Sequence, residues 1–391
     1  MSDIIIAGAK RTPIGSFLGQ FTGVPTPTLG SIAIKAALEH ANVPTDAVEE
    51  VLMGCVLPAG LGQAPARQAA LAAGLPTSVA CSTVNKVCGS GMRTVMYAAD
   101  AIAAGSASII VAGGMESMTN APHVLNGSRT GIRYGAGELL DHMAWDGLTN
   151  PYDKQAMGVF ADATAEKLGF SREDQDAYAA ESARRALAAQ ASGAFNDEIV
   201  PVTVSGRKGD TTFSADEAPG KVSIDKIPSL KPAFTKTGTV TAASSSSISD
   251  GAAAVVVMSG EAAKAHGVKP LAKIVAHATH AQEPQWFTTA PVHAIEKVLE
   301  KAGWTLDSVD LFEINEAFAC VAMAPIKQLG IPHAKVNVNG GACALGHPIG
   351  ASGTRLIVTL LHALIARGGK RGVASLCIGG GEATAIAIEL A

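Results

Sequence analysis

A helix–strand–glycine unit occurs twice in this chain, and that repetition constrains its fold more than any other feature. The segments "GSGMRTVMYAADAIAAG" and "ASIIVAGG" (89–114) lie over "GASGTRLIVTLLHALIARGG" and "ASLCIGGG" (350–381). Ser90, Gly91 and Arg93 fall on Ser352, Gly353 and Arg355. After four extra residues, Gly113-Gly114 falls on Gly379-Gly380. The first segment of each pair has apolar residues at helical spacing. The second is a short, continuous apolar run of the kind that forms a buried strand ending in glycines. A chain with one such unit in each half is expected to fold as a duplication. Its halves are then related by a pseudo-two-fold axis that makes the two helix starts face each other. The length of 391 residues agrees, because a single hydrophobic core rarely grows past roughly 250–300 residues.

Other segments extend the pattern. Ile4 to Ala7 reads as a first strand, 29–43 as a helix, 49–58 as a strand and 92–105 as a helix. Strand, helix and strand in that order predict parallel β-α-β units. Residues from about 118 to 245 are more polar. They hold the long helix "SREDQDAYAAESARRALAAQASG" and Pro-rich connectors, and read as an insertion that covers a site. The serines of "SSSSISDGAAAVVVM" (244–258) stand at the entry of a strongly apolar strand. Aromatics are only 4% of residues while glycines number 42, so backbones can approach closely.

Several function classes are excluded. The net charge is −4 with no basic block, which argues against nucleic acid and anionic membrane surfaces as partners. No run of 18 apolar residues is present, so no span is expected. The N-terminus lacks a signal-peptide pattern and the end "IAIELA" lacks a peroxisomal address. The six cysteines form no C-x-x-C pair. A reducing cytoplasm is therefore expected, with free thiols available for chemistry. No Walker, Rossmann or zinc-ligand spacing competes, so neither a metal nor a bound cofactor is expected.

Chemistry points to a few residues. Cys88 stands where a loop becomes a helix, and the free N–H groups and dipole of a helix start favour a thiolate. His347, in "ALGHPIG", precedes the second repeat's helix, so the pseudo-two-fold brings it toward Cys88 as a base. Cys377 ends a buried strand before three glycines, a turn whose N–H groups suit an oxyanion. Asn315 and Glu316 lie among apolar neighbours in "FEINEAFA", fitting either a site role or a helix cap.

Taken together, "VNKVCGSGMRTV", "GGMESM", "NEAFA", "NVNGGACALGHPIGASGTR" and "CIGGGEA" resemble the thiolase family, over essentially the whole chain. "DGLTNPYD" and "EPQWFTTAP" resemble its short-chain, acetoacetyl-CoA branch. The resemblance implies an α/β fold of five layers, α/β/α/β/α, built from two similar halves, each with a mostly parallel mixed sheet, plus an inserted loop domain. The implied division is 1–117 plus 246–268, a loop domain at 118–245 that helps hold coenzyme A, and 269–391. The implied reaction is the reversible Claisen condensation of two acetyl-CoA to acetoacetyl-CoA and CoA, and the implied assembly is a homotetramer. CoA enters as a substrate.

By the same resemblance Cys88 carries the acetyl group, His347 activates it, and Asn315 holds a water at the thioester oxygen. Cys377 moves the α-proton, and the N–H groups of Cys88 and Gly379 form a second oxyanion hole. Leu148, Met157, Phe234, Ser246 and Phe318 match the pantetheine channel. Two departures bear on chain length and CoA affinity: Ser244 replaces the family's usual Asn, and Ala156 replaces a His. Phe287 and Met157 resemble residues that close the acyl end. The competing readings are a broader-chain 3-ketoacyl-CoA thiolase, a decarboxylating condensing enzyme and a non-catalytic acyl-CoA or sterol carrier. Cys377, where the condensing enzymes carry a second histidine, speaks against the second. Retention of both Cys88 and Cys377 speaks against the third.

Overall fold

Every residue of Ser249–Ser259 is buried, which a strand achieves only when both faces of its sheet are covered. In the computed structural model, which describes residues 3–207 and 209–391, helices cover both faces. The core strands are β1 (Ile4–Arg11), β2 (Glu50–Gly54), β3 (Ala80–Val84), β4 (Ile109–Ser117), β5 (Ser249–Ser259), β6 (Ala272–Ala281), β7 (Leu311–Ile314), β8 (Arg371–Ile378) and β9 (Glu382–Leu390). The longer helices are α1 (Thr26–Ala41), α2 (Pro65–Ala72), α3 (Ser90–Ala103), α4 (Met157–Leu168), α5 (Arg172–Ser192), α6 (Ala290–Ala302), α7 (Ala319–Leu329) and α8 (Ser352–Arg367). Among the described residues, no helix is long and apolar enough to cross a membrane.

The duplication is visible in the strand order. The N-terminal half runs β3-β2-β4-β5-β1 and the C-terminal half β7-β8-β9-β6. Val336 bridges Phe312 of β7 in parallel, in the place that β3 takes beside β2. The pairs β2–β4 and β7–β8 are parallel, as the β-α-β reading expects. The inner pairs β4–β5, β5–β1, β8–β9 and β9–β6 are antiparallel. Each half is therefore mixed and mostly parallel, as expected: β1, β2, β3 and β4 run one way with β5 reversed, and β6, β7 and β8 run one way with β9 reversed. The two sheets meet at one corner, where Ile5 and Ile6 pair with Lys273 and Ala272.

Alternation within the apolar strands sorts side chains into layers. Ala254, Val256 and Met258 pack with Leu29, Ile34 and Ala69 of α1 and α2. Val255 and Val257 point the other way, to Met92 and Val95 of α3 and Leu356 and Leu360 of α8. Ala374 and Leu376 of β8 close that central layer from the far side. Val373 and Ala385 face Ile295 and Ala322 of α6 and α7. The order is helices, sheet, helices, sheet, helices: five layers.

The central layer is thin where the repeats meet. A Cβ on Gly353 would overlap the backbone N of Met92, and one on Gly91 would stand 2.7 Å from Thr354 Oγ1. Gly91 and Gly353 are the residues the repeat superposes, so the helix starts do face each other. One detail of the repeat differs. Gly379-Gly380 follow the end of β8, whereas Gly113-Gly114 lie inside β4, which continues to Ser117. The N-terminal glycines serve close approach: a Cβ on Gly113 would strike the Ala253 carbonyl, and one on Gly114 the Gly350 carbonyl.

Between β4 and β5 the chain forms α4, α5 and two short hairpins. Ser171 caps α5 in a reciprocal box with Asp174. Buried Arg11 ties β1 to this stretch through Glu198 at 2.6 Å and Asp216 at 2.7 and 2.9 Å.

Gly353→Ala puts a methyl group into the helix crossing, which has no room for it. We expect a loss of about 1–3 kcal/mol or more, read as a lowered urea or thermal midpoint. An unchanged midpoint would refute the close crossing.

Candidate active site

Cys88 sits on the turn just ahead of α3, and that turn is strained. Val87 has φ +48°, a left-handed conformation that β-branched residues rarely adopt. The turn is held from three sides. The Val87 N–H donates to Asn85 Oδ1 (2.9 Å), the Ser90 Oγ–H to the Val87 carbonyl (2.7 Å), and the Lys86 N–H to Ser90 Oγ (2.8 Å). The next residue, Gly89, lies against Ile378, where a Cβ would overlap the Ile378 side chain. This contact seats the Cys88 turn on the end of β8, where Cys377 is buried.

His347 is buried in the loop that leads into α8, its N–H donating to the Ser247 carbonyl (3.1 Å). Ser352 at the start of α8 uses its hydroxyl hydrogen on the Pro348 carbonyl (2.9 Å), so Ser352 Oγ accepts from His347 Nδ1–H (2.6 Å). That assigns the tautomer: Nε2 carries the lone pair, and the Asn315 amide donates to it (3.3 Å). Burial, with Arg355 nearby, pushes His347 down to about 3, so the ring is neutral near pH 7 with Nε2 unprotonated. Asn315 Oδ1 is buried with no protein partner, a free acceptor beside the histidine.

The thiols behave differently from the sequence expectation. A helix start favours a thiolate, yet burial pushes Cys88 up to about 11. The N–H groups of Gly379 and Cys88 itself oppose that rise, and Glu116 adds to it. Desolvation outweighs the helix start, so the resting residue is a thiol. Cys377 is pushed well above the ordinary thiol range, first by burial and then by the charge of Cys88.

A cavity of about 460 Å³ opens beside His347, within the range of small-molecule sites. Its walls include Leu148, Met157, Phe234, Ser246 and Phe318. Met157 also approaches Gly379, where a Cβ would stand 3.7 Å from its sulfur. Phe287 and Phe160 meet edge to face at 6.5 Å in the apolar cluster that holds Cys377 and Met157. Ala156 lies on the cavity wall. Ser244 is buried behind it, its Oγ accepting from the Thr241 N–H (2.8 Å).

The comparisons agree with this geometry. Residues 4–261 match the family profile described as "Thiolase, N-terminal domain", and 268–390 match "Thiolase, C-terminal domain". The chain belongs to the thiolase family. An acetyl-CoA acetyltransferase of Cupriavidus necator is 52% identical over 391 residues, covering 100% of both chains. Acetyl-CoA acetyltransferase 2 of Arabidopsis thaliana is 53% identical, over 99% of this chain and 97% of its own. The crystal structure of Acat5 thiolase from Ascaris suum in complex with coenzyme A superposes with TM-score 0.95 at 44% identity, covering 100% of both chains.

In this thiolase one sequence candidate falls elsewhere. Glu316 accepts from Tyr178 and Ser182 of α5 (3.0 and 2.7 Å), from Asn337 (2.7 Å) and from the Cys343 N–H (3.0 Å). It clamps the inserted stretch to the C-terminal half; it is not the cap of α7, which starts at Ala319 with Phe318 before it, and its bond to the Cys343 N–H falls on the first turn of the short helix Ala342–Leu345. Ser352, which orients His347, went unnoticed as a site residue. Its signal was available, because the repeat superposes it on Ser90, which braces the Cys88 turn.

Because Cys88 rests as a thiol, its alkylation by iodoacetamide should climb with pH across the range 7–9 without a plateau. The labelled peptide should contain Cys88. A rate already constant at pH 7, or label confined to Cys55 or Cys320, would contradict this.

Proposed function

We propose that this thiolase catalyses the reversible condensation of two acetyl-CoA to acetoacetyl-CoA and CoA, through an acetyl group carried on Cys88. The observation that carries the reading is the neutral His347 Nε2, fixed between Ser352 and Asn315 at the wall of the same cavity as Phe318 and Ser246. The full-length relatives named acetyl-CoA acetyltransferase supply the substrate.

The protons balance as follows. His347 Nε2 takes the Cys88 proton, and the sulfur attacks the thioester carbonyl. The C–S bond to CoA breaks, and the leaving thiolate takes the Cys377 proton, giving CoA and acetyl-Cys88. Cys377 is now a buried thiolate. Desolvation makes it strongly basic, which suits the weakly acidic methyl group of the second acetyl-CoA. The Cys377 thiolate takes that methyl proton and is a thiol again; the carbanion attacks acetyl-Cys88, the Cys88 thiolate leaves, and it recovers its proton from His347. Thiolysis runs these steps backwards. Negative charge develops on a carbonyl oxygen in each half-reaction. His347 with a water on Asn315 Oδ1 meets one, and the Cys88 and Gly379 N–H groups meet the other; one such donor typically contributes roughly 3–4 kcal/mol.

The inserted stretch 118–245 supplies Leu148, Met157 and Phe234 to the cavity, which supports its reading as a CoA-binding loop domain. Leu125, Ile132, Tyr134 and Leu139 of that stretch are exposed, in keeping with a homotetramer. Phe287 and Met157, packed around Cys377, leave room for a short acyl group.

Thiolysis should accordingly favour C4 3-ketoacyl-CoA, and comparable kcat/KM on C4 and C16 substrates would exclude the short-chain reading. The two cysteines should separate by mass spectrometry after mixing with acetyl-CoA. Cys377→Ala should still gain an acetyl group while condensation falls at least about 10²-fold; Cys88→Ala should do neither. Near-full condensation by the Cys377 variant, or an acetyl group on Cys377 in the Cys88 variant, would reverse the roles.

A further inference from the structure

Glu116 is a fully buried carboxylate that the reaction above does not use. It lies on β4, paired with Gly251 of β5. Its Oε2 accepts from the N–H groups of Val56 and Gly350, both at 2.9 Å. Its Oε1 accepts from the Leu57 N–H at 3.2 Å and from the Cys55 thiol at 3.7 Å. Val56 and Leu57 belong to the N-terminal half and Gly350 to the C-terminal half, three residues after His347.

The other side of the Gly350 peptide is held as closely. Its carbonyl sits where a Cβ would otherwise stand on three glycines of the N-terminal half. A Cβ on Gly54 would lie 2.8 Å from that oxygen and one on Gly91 3.0 Å, while one on Gly114 would overlap it. Gly350 is tight in turn, since its own Cβ would stand 2.6 Å from Glu116 Oε2. The Gly350 peptide is thus plugged into a glycine-lined socket, with Glu116 gripping its amide. The same turn runs from His347 to Ser352, whose N–H and hydroxyl both return to the Pro348 carbonyl (each 2.9 Å).

We propose that Glu116 is a positioning residue for the Cys88–His347 pair, locking the His347 turn of one half into the half that carries Cys88. The proposal rests on the assignment of those two residues made above. Glutamine cannot replace the carboxylate here. In either orientation its NH₂ faces backbone N–H groups, those of Val56 and Gly350 or that of Leu57. Aspartate keeps the carboxyl group but withdraws it by one methylene. The cavity residues Leu148, Phe234 and Ser246 take no part in the Glu116 contacts, so substrate affinity should hold while the reacting groups lose register. A misplacement of about 1 Å is worth on the order of 10²-fold in rate.

The test is steady-state condensation and thiolysis by purified wild type, Glu116→Gln, Glu116→Asp and Cys88→Ala, with active sites counted by the acetyl group gained. For both Glu116 variants we expect kcat per folded molecule to fall about 10–100-fold with KM within about twofold of wild type. If the Gln variant does not fold, the Asp variant, which keeps the carboxyl group, decides alone. A folded Glu116 variant with wild-type kcat, or one whose loss lies in KM alone, overturns the proposal. Cys88→Ala must be inactive throughout. Activity there would instead overturn the assignment of the reacting pair.

Discussion

The contact between α3 and α8 has no side chains to spare, and most of the active site depends on it. Gly91 and Gly353 let the two helix backbones meet at their first turns. The loops that feed those turns then come together from opposite halves, one carrying Cys88 and the other His347. Larger residues at the crossing would separate the helix axes, and with them the two loops. The sheets contribute in a second way. Because β5 and β8 are buried on both faces, the central layer between them is shielded on each side.

Burial then decides the electrostatics. It drives Cys88 and Cys377 upward and His347 downward. All three therefore rest in their neutral forms at neutral pH. A thiol beside a neutral imidazole costs less to bury than a thiolate beside an imidazolium. In the proposed reaction the same desolvation makes a Cys377 thiolate a strong base. The local helix start and the Gly379 N–H work against these shifts without overcoming them.

Charged groups away from the reaction perform a mechanical task. Arg11 reaches Glu198 and Asp216, and Glu316 receives four donors from α5 and the C-terminal half. Each set joins segments far apart in the chain. The inserted stretch is thereby held firmly over the halves whose cavity it helps to wall.

Much of this was legible in the chain itself. The repeat of Ser90-Gly91 and Ser352-Gly353 announces the duplication, because a helix that packs at van der Waals distance needs glycine at the same place in both copies. The positions of Cys88, His347, Cys377 and Asn315 stand out for the same reason: reactive groups next to glycines and helix starts are a local pattern. The parallel β-α-β pairs were legible, but which strand in each half runs backwards, β5 and β9, was not, since an apolar run buried on both faces reads alike whether its neighbour is parallel or antiparallel. Nor was the state of Cys88, because a helix start is local whereas desolvation is the sum of everything packed around the sulfur. Glu316, which the sequence left open between a site role and a helix cap, is a clamp, as its four donors come from residues 21 to 138 positions away. The sequence by itself determined which groups can react and that two alike halves carry them. Only the tertiary structure decided their protonation, their partners and the socket that sets one half against the other, because those depend on distances between residues that the chain holds far apart.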